Sequence, residues 1–73
     1  MNKEEIKKNA EQNGWVDLGP QKMGGLMSFT RKNLRMNVFS TTGTVVFQNT
    51  LRRYDPGSSY KDVTIEEFEK LCV

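Results

Sequence analysis

Residues 34–48 read LRMNVFSTTGTVVFQ, and this stretch decides the fold of the chain. Its two halves are rich in β-branched and aromatic residues, which favour strands, and a Thr-Thr-Gly sequence separates them. The pattern predicts a β-hairpin. Because consecutive strands with short connections pair antiparallel, we expect this hairpin at the centre of a small antiparallel sheet.

Further elements are predicted on either side of the hairpin from caps, breakers and apolar spacing. They are a helix over residues 3–13, a short extended piece over residues 15–18, a strand over residues 26–31, a short edge strand over residues 60–63 and a final helix after Thr64. The order helix, four antiparallel strands, helix indicates an α+β fold in one small domain, residues 1–73.

Each predicted helix has one apolar side. Ile6 and Ala10 share a face of the first helix, and Ile65, Phe68 and Cys72 share a face of the second. Both helices need a surface on which to bury these side chains. We therefore expect both helices on one face of the sheet, with the other face left open.

The turn of the hairpin leaves two registers open. A two-residue turn at residues 42–43 gives an apolar face that Val38 shares with Val45 and Phe47, but it requires a positive φ at a threonine. A three-residue loop at residues 41–43, with Gly43 in the left-handed conformation, fits turn chemistry better. It moves Val45 and Phe47 of the second strand to the opposite face, beside Phe39. A slip of one residue exchanges the faces, so the register decides which side chains the second strand exposes.

The residue types present exclude several kinds of chemistry. The chain has no histidine and one cysteine, Cys72, so it cannot form a Cys/His metal site, a Ser-His or Cys-His pair, or an internal disulfide. We therefore expect no enzyme activity and no cofactor. No apolar run approaches the ~20 residues that span a bilayer, and the N-terminus lacks a signal-peptide core, so we expect a cytoplasmic protein that does not bind membranes.

Charge is divided unevenly along the chain. Residues 15–54 carry six lysines and arginines against one aspartate, whereas residues 55–73 carry five acidic residues against two lysines. A basic middle segment suggests an anionic partner, although ordinary solvated surface charge gives the same pattern.

The first hairpin strand carries the candidate binding residues. In either register Arg35, Asn37 and Phe39 share one face, where a cation neutralises phosphate, an amide reads a base edge and a ring stacks on a base. The alternative to a binding role is that Phe39 belongs to the core and that Arg35 is an ordinary solvated charge on the strand. The predicted nucleic-acid-binding residues are Arg31, Lys32, Arg35, Asn37, Phe39, Arg52 and Arg53.

Residues 20–48 resemble the N-terminal substrate-binding module of type-three ribonucleases H, which has the TATA-box-binding-protein-like fold. The residues that match the end of the family's hairpin pattern are Gly43, Val45, Phe47 and Gln48. Thr44 and Asn49 stand where the family has lysine and glycine, and neither the family's first strand nor its catalytic domain has a counterpart here. The resemblance implies a curved sheet that binds nucleic acid on its concave side without cleaving it.

Two functions follow as hypotheses. The first is a small non-catalytic module that binds RNA, single-stranded DNA or RNA–DNA hybrid on the open sheet face. The second is a protein-interaction module, a small inhibitor or adaptor that docks a sheet face or edge on a larger protein. Its marker is an exposed apolar patch that holds Phe39, Val46 or Met23. A homodimer formed through strand edges is compatible with either.

Overall fold

The computed structural model describes residues 1–51 and 57–73. Within these residues it has two helices and one antiparallel sheet whose five strands follow the order of the sequence. The elements are α1 (Lys3–Gln12), β1 (Val16–Asp17), β2 (Leu26–Arg31), β3 (Leu34–Phe39), β4 (Thr44–Asn49), β5 (Ser58–Tyr60) and α2 (Ile65–Cys72). The predicted α+β fold is confirmed, with five strands where the sequence predicted four.

The two ends of the sheet differ from the prediction. The extended piece at residues 15–18 joins the sheet as the edge strand β1, which pairs with β2. The edge strand predicted at residues 60–63 instead ends at its first residue. Asp62 has a φ of +53, and the Val63 N–H donates to the carbonyl oxygen of Gly43 at 2.9 Å. The chain thus leaves the sheet edge because it turns toward the β3–β4 loop.

Both helices begin where side chains cap them. Oδ1 of Asn2 accepts a hydrogen bond from the Glu4 N–H at 2.7 Å, and Oγ1 of Thr64 accepts one from the Glu67 N–H at 3.2 Å. These contacts satisfy amide groups that have no partner within the first turn. The predicted helix starts are confirmed. Neither helix of the described residues is long and apolar enough to cross a membrane.

Both helices pack on the same face of the sheet. One buried apolar cluster contains Ile6, Ala10, Trp15, Phe29, Met36, Val38, Val45, Val63, Phe68 and Cys72. Its strand members sit at alternate positions that the pairing places side by side, so they all project from one face. We call this the covered face, and the opposite one the open face.

The β3–β4 hairpin has a longer loop than either turn predicted from the sequence. Phe39 pairs with Thr44, which leaves residues 40–43 as a four-residue loop. The Gly43 N–H donates to the Phe39 carbonyl oxygen at 2.9 Å, and Gly43 has a φ of +71. Turn chemistry therefore identified the left-handed glycine correctly and the loop length wrongly.

The faces of the hairpin follow its apolar pattern. Val38 pairs with Val45 and not with Phe47, so the register differs by two residues from that of the predicted two-residue turn. Since side chains alternate with a period of two, a shift of two residues leaves every side chain on its face. Val38, Val45 and Phe47 therefore share the covered face, as in the first of the two predicted alternatives and not as in the second.

Candidate functional site

The open face consists of alternate residues of neighbouring strands, as the strand pairing shows. Leu18 belongs to it because its N–H donates to the Ser28 carbonyl oxygen. Its members are Val16, Leu18, Leu26, Ser28, Thr30, Arg35, Asn37, Phe39, Thr44, Val46, Gln48 and Ser59. Arg35 is the single charged side chain in this set. Among the described residues, the open face therefore carries one cation and no carboxylate.

Three side chains on the open face form a hydrogen-bonded group that we call the polar cluster: Ser28, Arg35 and Asn37. Oγ of Ser28 donates to Oδ1 of Asn37 at 2.7 Å, Nε of Arg35 donates to the same oxygen at 3.3 Å, and Nη2 of Arg35 contacts Oγ of Ser28 at 3.4 Å. The strand register brings them together because Ser28 pairs with Asn37, and Arg35 lies two positions along β3. The hydroxyl of Ser28 is fully buried beneath this face.

An apolar surround borders the polar cluster on the side of Ser28 and Asn37, whereas Arg35 pairs with Thr30 and Gln48. Leu26, Phe39 and Val46 are half-buried, and Leu26 pairs with Phe39 across the β2–β3 ladder. Toward the β1 edge, Val16 and Leu18 expose 59% and 43% of their surface. The open face thus combines a polar centre with an apolar surround, which suits both a flat aromatic ligand and a protein surface.

Arg31 does not join Arg35 on this face. It projects from the covered face, where its Nη1 donates to the carbonyl oxygens of Asn13 at 2.9 Å and Cys72 at 2.7 Å. Its guanidinium also lies 4.4 Å from the centre of the Trp15 ring. The positive charge is well placed there, because carbonyl groups at the C-terminal ends of helices attract cations. We therefore assign Arg31 a structural role and leave it out of the interface.

The other predicted binding residues lie in three places. Arg35, Asn37 and Phe39 form a row along β3 on the open face. Lys32 is exposed in the β2–β3 turn, where it has a φ of +55. The remaining two predicted residues, Arg52 and Arg53, lie outside the described residues. The structure thus places three of the seven side by side and a fourth near the end of their row.

Sequence reasoning missed Ser28, although a signal was present. The apolar side chains of Met27 and Phe29 lie on either side of it along β2, and a residue beside them points to the other face. The pattern could therefore have placed Ser28 on the open face. Its contact with Asn37 depends on the β2–β3 register, which follows from the two-residue turn at residues 32–33.

The buried thiol of Cys72 is unreactive at neutral pH. Burial raises the pKa of Cys72 from 9.0 to about 11, although the nearby charge of Arg31 opposes the shift. A thiol with this pKa stays protonated at neutral pH and is a poor nucleophile and metal ligand. Within residues 1–51 and 57–73, no group of three carboxylate or thiol side chains lies close enough together to hold a metal ion.

Among the cavities lined by described residues, two have volumes near 500 Å³. One of about 470 Å³ separates α1 from the β1–β2 loop and is lined in part by Lys3, Lys7 and Met23. The other, of about 490 Å³, lies between β5 and α2, beside Tyr60 and Leu71. Met23, a predicted marker of an apolar docking patch, is exposed in the loop before β2, where its carbonyl oxygen accepts from the N–H of Leu26 at 3.3 Å.

No family model, curated protein or solved structure matches this chain. The likeness of residues 20–48 to the ribonuclease H module, and the sheet curvature that it implies, stay predictions from the sequence. We therefore infer a function from the chemistry of the open face alone.

Proposed function

We propose that the open face binds single-stranded nucleic acid. The observation that carries the proposal is the row Arg35, Asn37 and Phe39 on the central strand of a face without carboxylates among the described residues. The guanidinium provides a phosphate contact, the amide contacts a base edge and the ring provides a stacking surface. A single strand fits better than a duplex, because Phe39 can stack only on a base that is unpaired and unstacked.

The small number of cations near the row makes binding weakly dependent on salt. Arg35 lies on the face and Lys32 lies near the end of the row, whereas Arg31 donates to carbonyl groups on the other side. For single strands, log affinity changes with log salt by about −0.7 for each neutralised phosphate. Two contacts therefore predict a slope of about −1.4. This salt dependence is much weaker than the one expected if every basic residue of the middle segment contacted a phosphate.

The first test measures binding of fluorescein-labelled dT15, rU15 and a 15-base-pair duplex by fluorescence anisotropy at low and moderate salt. We expect both single strands to bind more tightly than the duplex. Phe39→Leu keeps an apolar side chain but removes the ring, and loss of one stacked base weakens single-strand binding by roughly 1–3 kcal/mol. The matched control is Leu26→Met, an apolar exchange at the position that pairs with Phe39, which we expect to leave affinity within about twofold.

Two results would contradict the proposal. One is the absence of single-strand binding at about 100 μM protein in low salt. Even non-specific binding of nucleic acid has dissociation constants of about 100 μM or lower. The other is equal binding by wild type and Phe39→Leu, since the row on β3 would then not be the contact surface.

A second function, docking on a larger protein, is favoured by the exposed Val16 and Leu18 at the β1 edge of the same face. These side chains extend the apolar surround of the polar cluster beyond what a nucleic-acid strand along β3 needs. A cell-extract pull-down with nuclease present compares wild type with Val16→Lys/Leu18→Lys. A protein retained by wild type and lost by the double variant would support docking. A cytoplasmic location suits either function and stays a prediction.

A further inference from the structure

The polar cluster fixes the orientation of the Asn37 amide. Arg35 can only donate hydrogen bonds, so the Asn37 atom that its Nε contacts at 3.3 Å must be the amide oxygen. Oγ of Ser28 accepts from Arg35 Nη2 at 3.4 Å and donates to that same oxygen at 2.7 Å. The oxygen thus accepts two hydrogen bonds, which is the number that its two lone pairs allow.

The amide nitrogen of Asn37 is therefore the part that a ligand meets. Nδ2 carries two N–H donors and makes no hydrogen bond within the described part of the chain. No buried side-chain nitrogen or oxygen among the described residues lacks a partner, so Nδ2 reaches the surface of the open face. Asn37 consequently offers donors to a ligand and no acceptor.

Resting on the proposed function, we propose that Asn37 makes the open face prefer thymine and uracil over adenine. The usual bidentate contact of asparagine with adenine needs both the amide oxygen and the amide nitrogen. Here Arg35 and Ser28 occupy the oxygen, so that contact is blocked. Thymine and uracil present carbonyl oxygens, which are acceptors that the Nδ2 donors match. Adenine keeps only a single contact, from Nδ2 to a ring nitrogen, and its N6 amino group finds no acceptor on Asn37.

Phe39 places a base within reach of this amide. Asn37 and Phe39 lie two positions apart on the same face of β3, a separation of about 6.6 Å along the strand. A base that stacks on the Phe39 ring therefore has its edge toward Asn37. The ring supplies affinity that is nearly independent of sequence, and the amide supplies the discrimination.

The experiment compares labelled dT15 with dA15 for wild type, Asn37→Ala and Ser28→Ala by anisotropy. We expect wild type to favour dT15, and we expect Asn37→Ala to reduce the dT15/dA15 affinity ratio by about fivefold, the effect of one hydrogen bond. Ser28→Ala frees a lone pair of the Asn37 oxygen for adenine and should reduce the ratio as well, through tighter binding of dA15. Self-stacking of dA15 is the same for every variant, so a change in the dT15/dA15 affinity ratio between variants comes from the protein.

Gln12→Ala, at an exposed amide in α1 and away from the open face, is the matched control and should leave the ratio unchanged. Circular dichroism confirms that each variant is folded, and Ser28→Ala decides the question should Asn37→Ala not fold. Binding of both oligonucleotides with a ratio that neither cluster variant changes would overturn the inference and leave the proposed function standing. No binding of either oligonucleotide by wild type would overturn both.

Discussion

At the scale of single residues, Arg31 and Arg35 show how a two-residue turn places two similar side chains on opposite faces of a sheet. Four positions apart in sequence, they project from opposite faces because the β2–β3 turn lies between them. Arg31 contacts the C-terminal regions of both helices through the carbonyl oxygens of Asn13 and Cys72. Arg35 is held by Asn37 and Ser28 at the surface. One arginine thus stabilises the fold, and the other is available to a ligand.

Arg31→Ala should destabilise the protein. The substitution removes two charge-assisted hydrogen bonds and a cation–π contact with Trp15, and we expect the free energy of unfolding to fall by about 2–3 kcal/mol. Urea denaturation measures this change. Lys32→Ala, the exposed neighbour, is the control and should change stability by less than about 0.5 kcal/mol. Equal losses in the two variants would show that Arg31 is an ordinary surface charge.

At the scale of elements, the β3–β4 loop connects the hairpin to the segment before α2. The carbonyl oxygen of Gly43 accepts from the Val63 N–H at 2.9 Å, and a Cβ at Gly43 would lie 3.2 Å from that nitrogen. The φ of +71 is in the left-handed region, where residues with a Cβ are strained. Glycine is therefore needed at this position for its backbone and for the close approach of the neighbouring segment.

Gly43→Ala should lower the free energy of unfolding by about 2 kcal/mol, through left-handed strain and the tight contact with Val63. Gly24→Ala is a matched control, since a Cβ there meets nothing within 4 Å and no positive φ is involved. We expect that variant to stay within about 0.5 kcal/mol of wild type or to become slightly more stable. Thermal or urea unfolding of the pair tests the prediction, and a neutral Gly43→Ala would show that the loop adapts.

The hairpin also shows what the sequence could and could not predict. Of the two signals, the apolar alternation favoured the face that the helices cover and turn chemistry favoured the other, and the burial of Val38 and Val45 outweighs the details of the turn. The loop length was not predictable locally. Ser40 keeps its place beside β2, where its N–H and Oγ contact the Gly25 carbonyl oxygen at 2.9 and 3.0 Å. This contact spans fifteen residues, so it depends on tertiary structure.

The candidate site was predictable in part, because side chains alternate between the two faces of a strand. Arg35, Asn37 and Phe39 share a face in any register of β3, so alternation alone placed them together. Assigning that face as the open one required the helices. The partners of Arg31 required the structure, because its acceptors Asn13 and Cys72 lie in parts of the chain that are distant in sequence.

At the scale of the whole molecule, acidic groups and the open face are segregated. All the described carboxylates belong to the helices, to the covered side of β1 or to the turn before α2: Glu4, Glu5, Glu11, Asp17, Asp62, Glu66, Glu67 and Glu69. The helical side also carries cations, because α1 has Lys3, Lys7 and Lys8 beside its three glutamates. An anion that approaches the open face meets Arg35 and no described carboxylate. This arrangement favours binding of an anionic strand on the open face.

The most direct test of this account is a ¹H–¹⁵N correlation titration of the labelled protein with dT15. The Asn37 side-chain amide and the Arg35 Nε–H report the polar cluster in the same spectrum. The Asn13 side-chain amide, which donates to Asn9 at 2.8 Å on the helical side, is an internal control. The account predicts that the Asn37 and Arg35 signals shift with dT15 concentration while the Asn13 signal stays in place. Shifts confined to α1 and α2, or no shifts at all, would contradict it.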